Sequence, residues 1–146
     1  MKTIIFDLDG TILDTLEDLK NAVNYGLFSY YLPVMCTEFV RKAIGNGTQV
    51  LIKRCTPESL DEATRKQVFD TFKSYYLDHY DDCTKAYPGI KELLMALKDK
   101  CLLAVVSNKD NDLTQKLINK EFPGLFDVIQ GSYFDKPKKP DSYLIN

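Results

Sequence analysis

Thr3-Ile4-Ile5-Phe6-Asp7-Leu8-Asp9-Gly10-Thr11 is the stretch that decides the fold: a short apolar run meets two acids, a glycine and a threonine. A run of this length bounded by turn residues reads as a buried strand entering a polar turn. A helix is expected next, because Thr15 stands three residues before Asp18 as a capping pair and Leu16, Leu19 and Val23 share one face. From there to about Tyr80 the signals are helical only. Thr37 can cap a helix that carries Val40, Ala43 and Ile44 and stops at Gly45, and Pro57 opens a longer pattern through Leu60, Val68, Phe69, Phe72, Tyr76 and Tyr80.

Beyond Tyr87-Pro88-Gly89 the texture alternates. A helix over 90–98, a strand over 101–106, a helix over 113–121 and a strand over 126–130 make the succession of a parallel α/β sheet. One strand before a helical block and a βα succession after it predict a Rossmann-like α/β core, residues 1–14 and 85–146. An all-helical domain, residues 15–84, is inserted into it at a loop.

Composition narrows the class. The chain has 146 residues, 45% of them hydrophobic, and a formal charge of −2 with no basic stripe, which argues against a nucleic-acid partner. No apolar run approaches the roughly 20 residues that span a bilayer, and the N-terminus carries acids where a signal peptide would be apolar. No membrane association and a cytoplasmic location are therefore expected. Cys36, Cys55, Cys83 and Cys101 show no CxxC pairing and no histidine at zinc-ligand spacing, so free thiols are expected. The lone histidine, His79, lies in a helical pattern among Tyr75, Tyr76 and Tyr80, a poor base for a cysteine nucleophile.

Three clusters carry chemistry. Side chains at i and i+2 leave a strand on the same side, so Asp7 and Asp9 project together from the strand's C-terminal end, the edge where open α/β sheets bind ligands. Two carboxylates held this close repel unless a cation intervenes, and an all-oxygen site suits Mg²⁺. One acid can attack phosphorus while the other moves a proton; the alternative is that Asp-Gly merely punctuates a turn. Ser107-Asn108-Lys109 ends the second apolar strand, where a hydroxyl and an amide could bond phosphate oxygens or simply cap a helix. Lys136, Lys138 and Lys139 lie in a proline-stiffened loop, where one ammonium could offset a carboxylate–phosphate pair and the others are expected to be solvated.

Together, DLDGT at 7–11, VVSNK at 105–109 and KPDS at 139–142 resemble, in order and spacing, the motifs of the haloacid dehalogenase superfamily. The resemblance implies a phosphatase with Asp7 as nucleophile, Asp9 as acid/base and Lys139 as charge neutraliser. It implies Gly10, Thr11, Ser107 and Asn108 around the phosphate, and Mg²⁺ on the Asp7 carboxylate and the Asp9 carbonyl. Ile44-Gly45-Asn46-Gly47 and the stretch FKSYYLDHYDDCTKAYPGIKELLMALK at 72–98 are similar to phosphoglycolate phosphatases. That likeness implies a small phosphorylated acid such as 2-phosphoglycolate as substrate, with Gly45, Asn46 and Gly47 as substrate contacts in a cap. Paired glycines let N–H groups turn toward an anion, although a plain helix-ending turn explains Gly45 as well.

The family's fourth motif, an acidic pair after a further strand, would fall beyond Asn146, and by resemblance its acid completes the magnesium site. A core lacking that part is expected to leave residues 3–6 as an apolar sheet edge, open to a second copy or to aggregation. Among other readings, Asp9 argues against a 2-haloacid dehalogenase, which has no leaving oxygen to protonate. A sugar-phosphate mutase and a pyrophosphatase stay open. A receiver-like or truncated non-catalytic phosphate-binding module also stays open, though a helical insertion suits a lid over a reaction better than an exposed phospho-acceptor.

Overall fold

A computed structural model describes all 146 residues. The chain divides into two compact units, Met1–Asp14 with Lys85–Asn146, and Thr15–Thr84.

The first unit is built on a parallel sheet of three strands, β1 (Lys2–Phe6), β4 (Cys101–Asp110) and β5 (Val128–Ser132), in the order β1-β4-β5. The remaining strands, β2 (Leu13–Asp14) and β3 (Lys85–Ala86), form a separate antiparallel pair. β1 runs in register with the first half of β4, from Lys2 opposite Cys101 to Phe6 opposite Val105. The central strand is buried from Leu103 to Lys109, which explains its unbroken apolar run: a parallel strand with neighbours on both sides has little solvent to face. β1 pairs on one side only, and Ile5 is half exposed.

Two boundaries differ from expectation. β4 continues past Val106 through a register irregularity to Asp110, so Ser107, Asn108 and Lys109 lie within the strand end and not after it. Helix α6 (Asn111–Glu121) is capped by Asp110, whose carboxylate accepts from the N–H of Asp112 and of Leu113, so Ser107 and Asn108 do not cap it. β5 begins two residues later than the apolar pattern suggests. Asp127 already bonds β4, donating its N–H to the Leu103 carbonyl and accepting the Leu103 N–H on its carboxylate at 2.8 Å, while Phe126 packs edge-on against Phe6 and Phe122. α5 (Ile90–Leu97) lies where a helix is expected. After Pro140 the chain makes one 3₁₀ turn, Ser142–Leu144.

The second unit is all helical: α1 (Leu16–Ser29), α2 (Thr37–Ala43), α3 (Thr48–Cys55) and α4 (Glu62–His79). α1 packs along α4, and Gly26 makes the approach possible. A Cβ on Gly26 would stand 3.0 Å from the Val68 carbonyl oxygen and 3.4 Å from Phe72. Thr15 is the N-cap residue of α1, but without a side-chain capping bond, and Asp18 does not complete a capping box. The Asp18 carboxylate is buried and accepts instead from the Cys83 N–H and the Thr84 hydroxyl, tying the start of α1 to the chain that follows α4. α4 starts at Glu62, not near Pro57. Residues 57–60 make a turn closed by the Leu60 N–H on the Pro57 carbonyl, and Asp61 caps the helix through the Thr64 N–H at 2.9 Å.

The cysteines are free. Burial pushes the Cys55 thiol up to about 11, so it sits in the core as an apolar side chain and not as a thiolate nucleophile. No helix is long and apolar enough to cross a membrane.

Candidate active site

The turn after β1 is organised around one backbone oxygen. Leu8, fully buried, accepts the N–H groups of Thr11, Ile12 and Leu13 at 3.1 to 3.2 Å, and Gly10 donates to the Leu13 carbonyl at 3.0 Å. Gly10 has φ +76°, a conformation that glycine adopts without penalty. The N–H groups of Gly10 and Thr11, both expected among the phosphate contacts, are thus spent within the turn. What Gly10 contributes is the bend that presents Asp7 and Asp9.

The two acids meet different cations. Lys139 Nζ lies 2.9 Å from Asp7 Oδ1 and donates also to the Val106 carbonyl at 2.7 Å, so the ammonium is anchored on β4 and aimed at the acid that follows β1. Of the three loop lysines it is Lys139 that reaches the cluster; Lys136 is exposed and Lys138 half-buried. Lys109 Nζ lies 3.0 Å from Asp9 Oδ1, with the lysine side chain 2% exposed and that of Asp9 14%. Sequence reasoning quoted Lys109 but gave it no role. The available signal was a cation at the end of an otherwise apolar strand, which needs a carboxylate when buried.

Asn108 holds the lysine loop in place. Its Oδ1 accepts the Lys139 N–H at 2.7 Å, its Nδ2 donates to the Lys139 carbonyl at 3.2 Å, and its own carbonyl accepts the Ser132 hydroxyl at 2.6 Å. One N–H of the amide expected to meet phosphate is therefore committed to the lysine backbone. Ser107, 1% exposed, accepts the Lys109 N–H on its hydroxyl oxygen at 3.1 Å, which leaves the hydroxyl proton to donate elsewhere.

Magnesium binding can be tested on the donor set. The Asp7 side chain is 42% exposed and Lys139 bonds its Oδ1, which leaves Oδ2 to serve as a hard oxygen donor. No group of three or more His, Cys, Asp or Glu side chains gathers as a metal cage. Mg²⁺ commonly takes one or two protein carboxylates and completes its shell with waters and substrate phosphate, so the residues present fit the ion.

Gly45, Asn46 and Gly47 belong to the helical unit. Gly45 (φ +114°) and Gly47 (φ +89°) turn the chain between α2 and α3. Arg54 Nη1 fastens the turn, donating to Asn46 Oδ1 and to the Ala43 carbonyl at 3.0 Å each.

An aspartate pair thus follows a parallel strand, a lysine lies on the first acid, and a serine lies near the end of the neighbouring strand. Residues 4–146 fit the family model for haloacid dehalogenase-like hydrolases. The chain belongs to that family. This haloacid dehalogenase-like chain is 36% identical over 142 residues to a phosphoglycolate phosphatase of Aquifex aeolicus, covering 96% of this chain and 65% of the relative. It is 40% identical over 125 residues to one of Haemophilus influenzae, covering 80% and 56%. A crystal structure of a predicted phosphoglycolate phosphatase from Haemophilus somnus superposes with a TM-score of 0.88 at 33% identity, covering 96% of this chain and 66% of that one. The haloacid dehalogenase-like chain thus spans less than two thirds of the length of these curated relatives.

Proposed function

We propose that the chain carries the catalytic face of a magnesium-dependent phosphomonoesterase that works through an aspartyl-phosphate. The observation that carries this reading is the division of partners at the turn. The Asp7 side chain is the more open of the two and faces one ammonium, as a nucleophile for a phosphate dianion requires, while that of Asp9 is more enclosed and faces another.

In the first half-reaction an Asp7 carboxylate oxygen forms a bond to phosphorus. The bond from phosphorus to the ester oxygen breaks, and the Asp9 carboxyl proton passes to the departing oxygen. In the second, water attacks phosphorus and gives its proton to Asp9. The acyl-phosphate bond breaks, returning the Asp7 carboxylate and free phosphate. Lys139 offsets the charge that builds where carboxylate and phosphate meet, and its anchor on the Val106 carbonyl holds it in place beforehand. Ser107 is assigned a phosphate oxygen through its hydroxyl proton. Asn108 is assigned the positioning of Lys139, whose backbone its side chain grips. Mg²⁺, held by the Asp7 carboxylate and the Asp9 carbonyl, would supply neutralisation of the phosphate charge.

The substrate assigned to this chemistry is a small phosphorylated acid such as 2-phosphoglycolate. The assignment is supported by the relatives of that name and by the paired glycines at 45 and 47. A phosphate-release screen over small phosphorylated acids and sugars, with and without Mg²⁺, tests it. Release from the small acids that depends on Mg²⁺ is expected, and release from sugar phosphates alone would reassign the substrate. Replacing Gly45 and Gly47 with alanine should lower kcat/KM for 2-phosphoglycolate more than for an aryl phosphate. Equal losses on both esters would make the turn purely structural.

A further inference from the structure

We propose that Lys109 is a positioning residue for proton transfer, clamping the Asp9 carboxylate in the direction from which it serves the ester oxygen. This rests on the phosphatase reading above, because it deepens the role of Asp9. The clamp joins residues 100 apart in sequence, and its ammonium is almost fully enclosed. An exposed lysine would spend its side-chain entropy to hold one geometry and gain little. Lys109 has already lost that freedom. Its N–H is on the Ser107 hydroxyl, and its carbonyl accepts from Thr114 at the first turns of α6, so the backbone carrying the ammonium is fixed from both sides.

Asp9 lies in the turn after β1, and its carboxylate is aimed through two side-chain torsions that the Lys109 bond helps to fix. A carboxyl group that delivers a proton must hold its oxygen within hydrogen-bond reach of the leaving atom, and small displacements there are costly in rate. The Lys139 ammonium serves the other acid. The two lysines therefore do separate work: Lys139 faces the more open Asp7, where charge accumulates, and Lys109 lies behind the acid that moves protons, itself closed to substrate.

The experiment compares Lys109→Met with the unaltered chain by the rapid-quench rate of phosphoenzyme formation, the half-reaction in which the esters differ, on an alkyl phosphate, whose leaving oxygen needs a proton, and on p-nitrophenyl phosphate, whose leaving oxygen departs as the anion. Because positioned proton transfer contributes about 10² to 10⁴, a loss of tenfold or more is expected on the alkyl ester beside a loss within about threefold on the aryl ester. Partial unfolding would lower both rates equally, so the ratio of the losses isolates the clamp. Equal losses on the two esters, or no loss on the alkyl one, would overturn the proposal.

A second measurement needs no turnover. In the metal-free protein the ¹⁵Nζ–H signal of Lys109 should be protected from exchange and should shift in Asp9→Asn. A signal indifferent to Asp9→Asn would overturn the clamp. If the unaltered chain released no phosphate from any ester, the phosphatase reading would fall and the NMR result would decide the clamp by itself.

Discussion

Asp7 and Asp9 are two positions apart in one turn and end up chemically distinct, because the turn leaves one more open than the other, and because their ammonium partners come from different places. Lys139 arrives from a proline-bounded loop; Lys109 arrives from inside the sheet. Replacing Asp7 with Asn should lower phosphatase activity by at least about 10³, since no covalent intermediate can form without the carboxylate. Asp9→Asn should slow both half-reactions by about 10² to 10⁴ and let phosphoenzyme accumulate, which rapid-quench kinetics can separate from a simple loss of binding. Near-normal turnover in Asp7→Asn would remove the nucleophile assignment. The acids were legible as a pair closing an apolar run, although both lie beyond β1, where strand alternation no longer sets their directions. Which of Lys136, Lys138 and Lys139 reaches the acids was not, because that depends on Asn108 gripping the Lys139 backbone from 31 residues away.

Among the elements, those with long patterns were readable and the short ones were not. β1, β4, α5 and α6 follow from apolar runs and helical spacing, whereas β2 and β3 are two residues each and leave no period to detect. The break after α2 follows from Gly45, but α3 is too short to announce itself between that stop and Pro57, and the turn before it is held by two glycine dihedrals and an arginine clamp. The capping assignments failed where tertiary contact outbid local preference: Asp18 turns from its own helix to Cys83 and Thr84, and that same carboxylate raises the Cys83 thiol above its ordinary value.

Asp61, by contrast, is a local cap that works. Hydrogen bonds from the Thr64 N–H and hydroxyl hold its carboxyl below the usual value, so the unfolded chain binds that proton more readily. Its contribution to α4 is present above the ordinary carboxylate pKa and is lost as pH falls through the folded value. Thermal melts of Asp61→Ala against the unaltered chain should therefore differ most near neutral pH and converge in acid. A gap that persists unchanged at low pH would assign the effect to packing or helix propensity.

At the scale of the whole molecule, the unpartnered side of β1 stands out. A parallel strand with one neighbour presents a row of N–H and C=O groups, and the half-exposed Ile5 adds apolar surface, a combination that invites another strand. Self-association is expected in light scattering after size exclusion, and Ile5→Lys should reduce it, since a charged edge resists pairing. A monomer with a cooperative melt in the unaltered chain would mean that the edge is tolerated as it stands.

The most direct test of an aspartyl-phosphate route is to quench the chain during turnover of a small phosphorylated acid with Mg²⁺ and to map the phosphoryl group by peptide mass spectrometry. Phosphate should appear on the N-terminal peptide at Asp7, accumulate in Asp9→Asn and vanish in Asp7→Asn. Turnover with no label at Asp7, or a label and rate that survive Asp7→Asn, would contradict it.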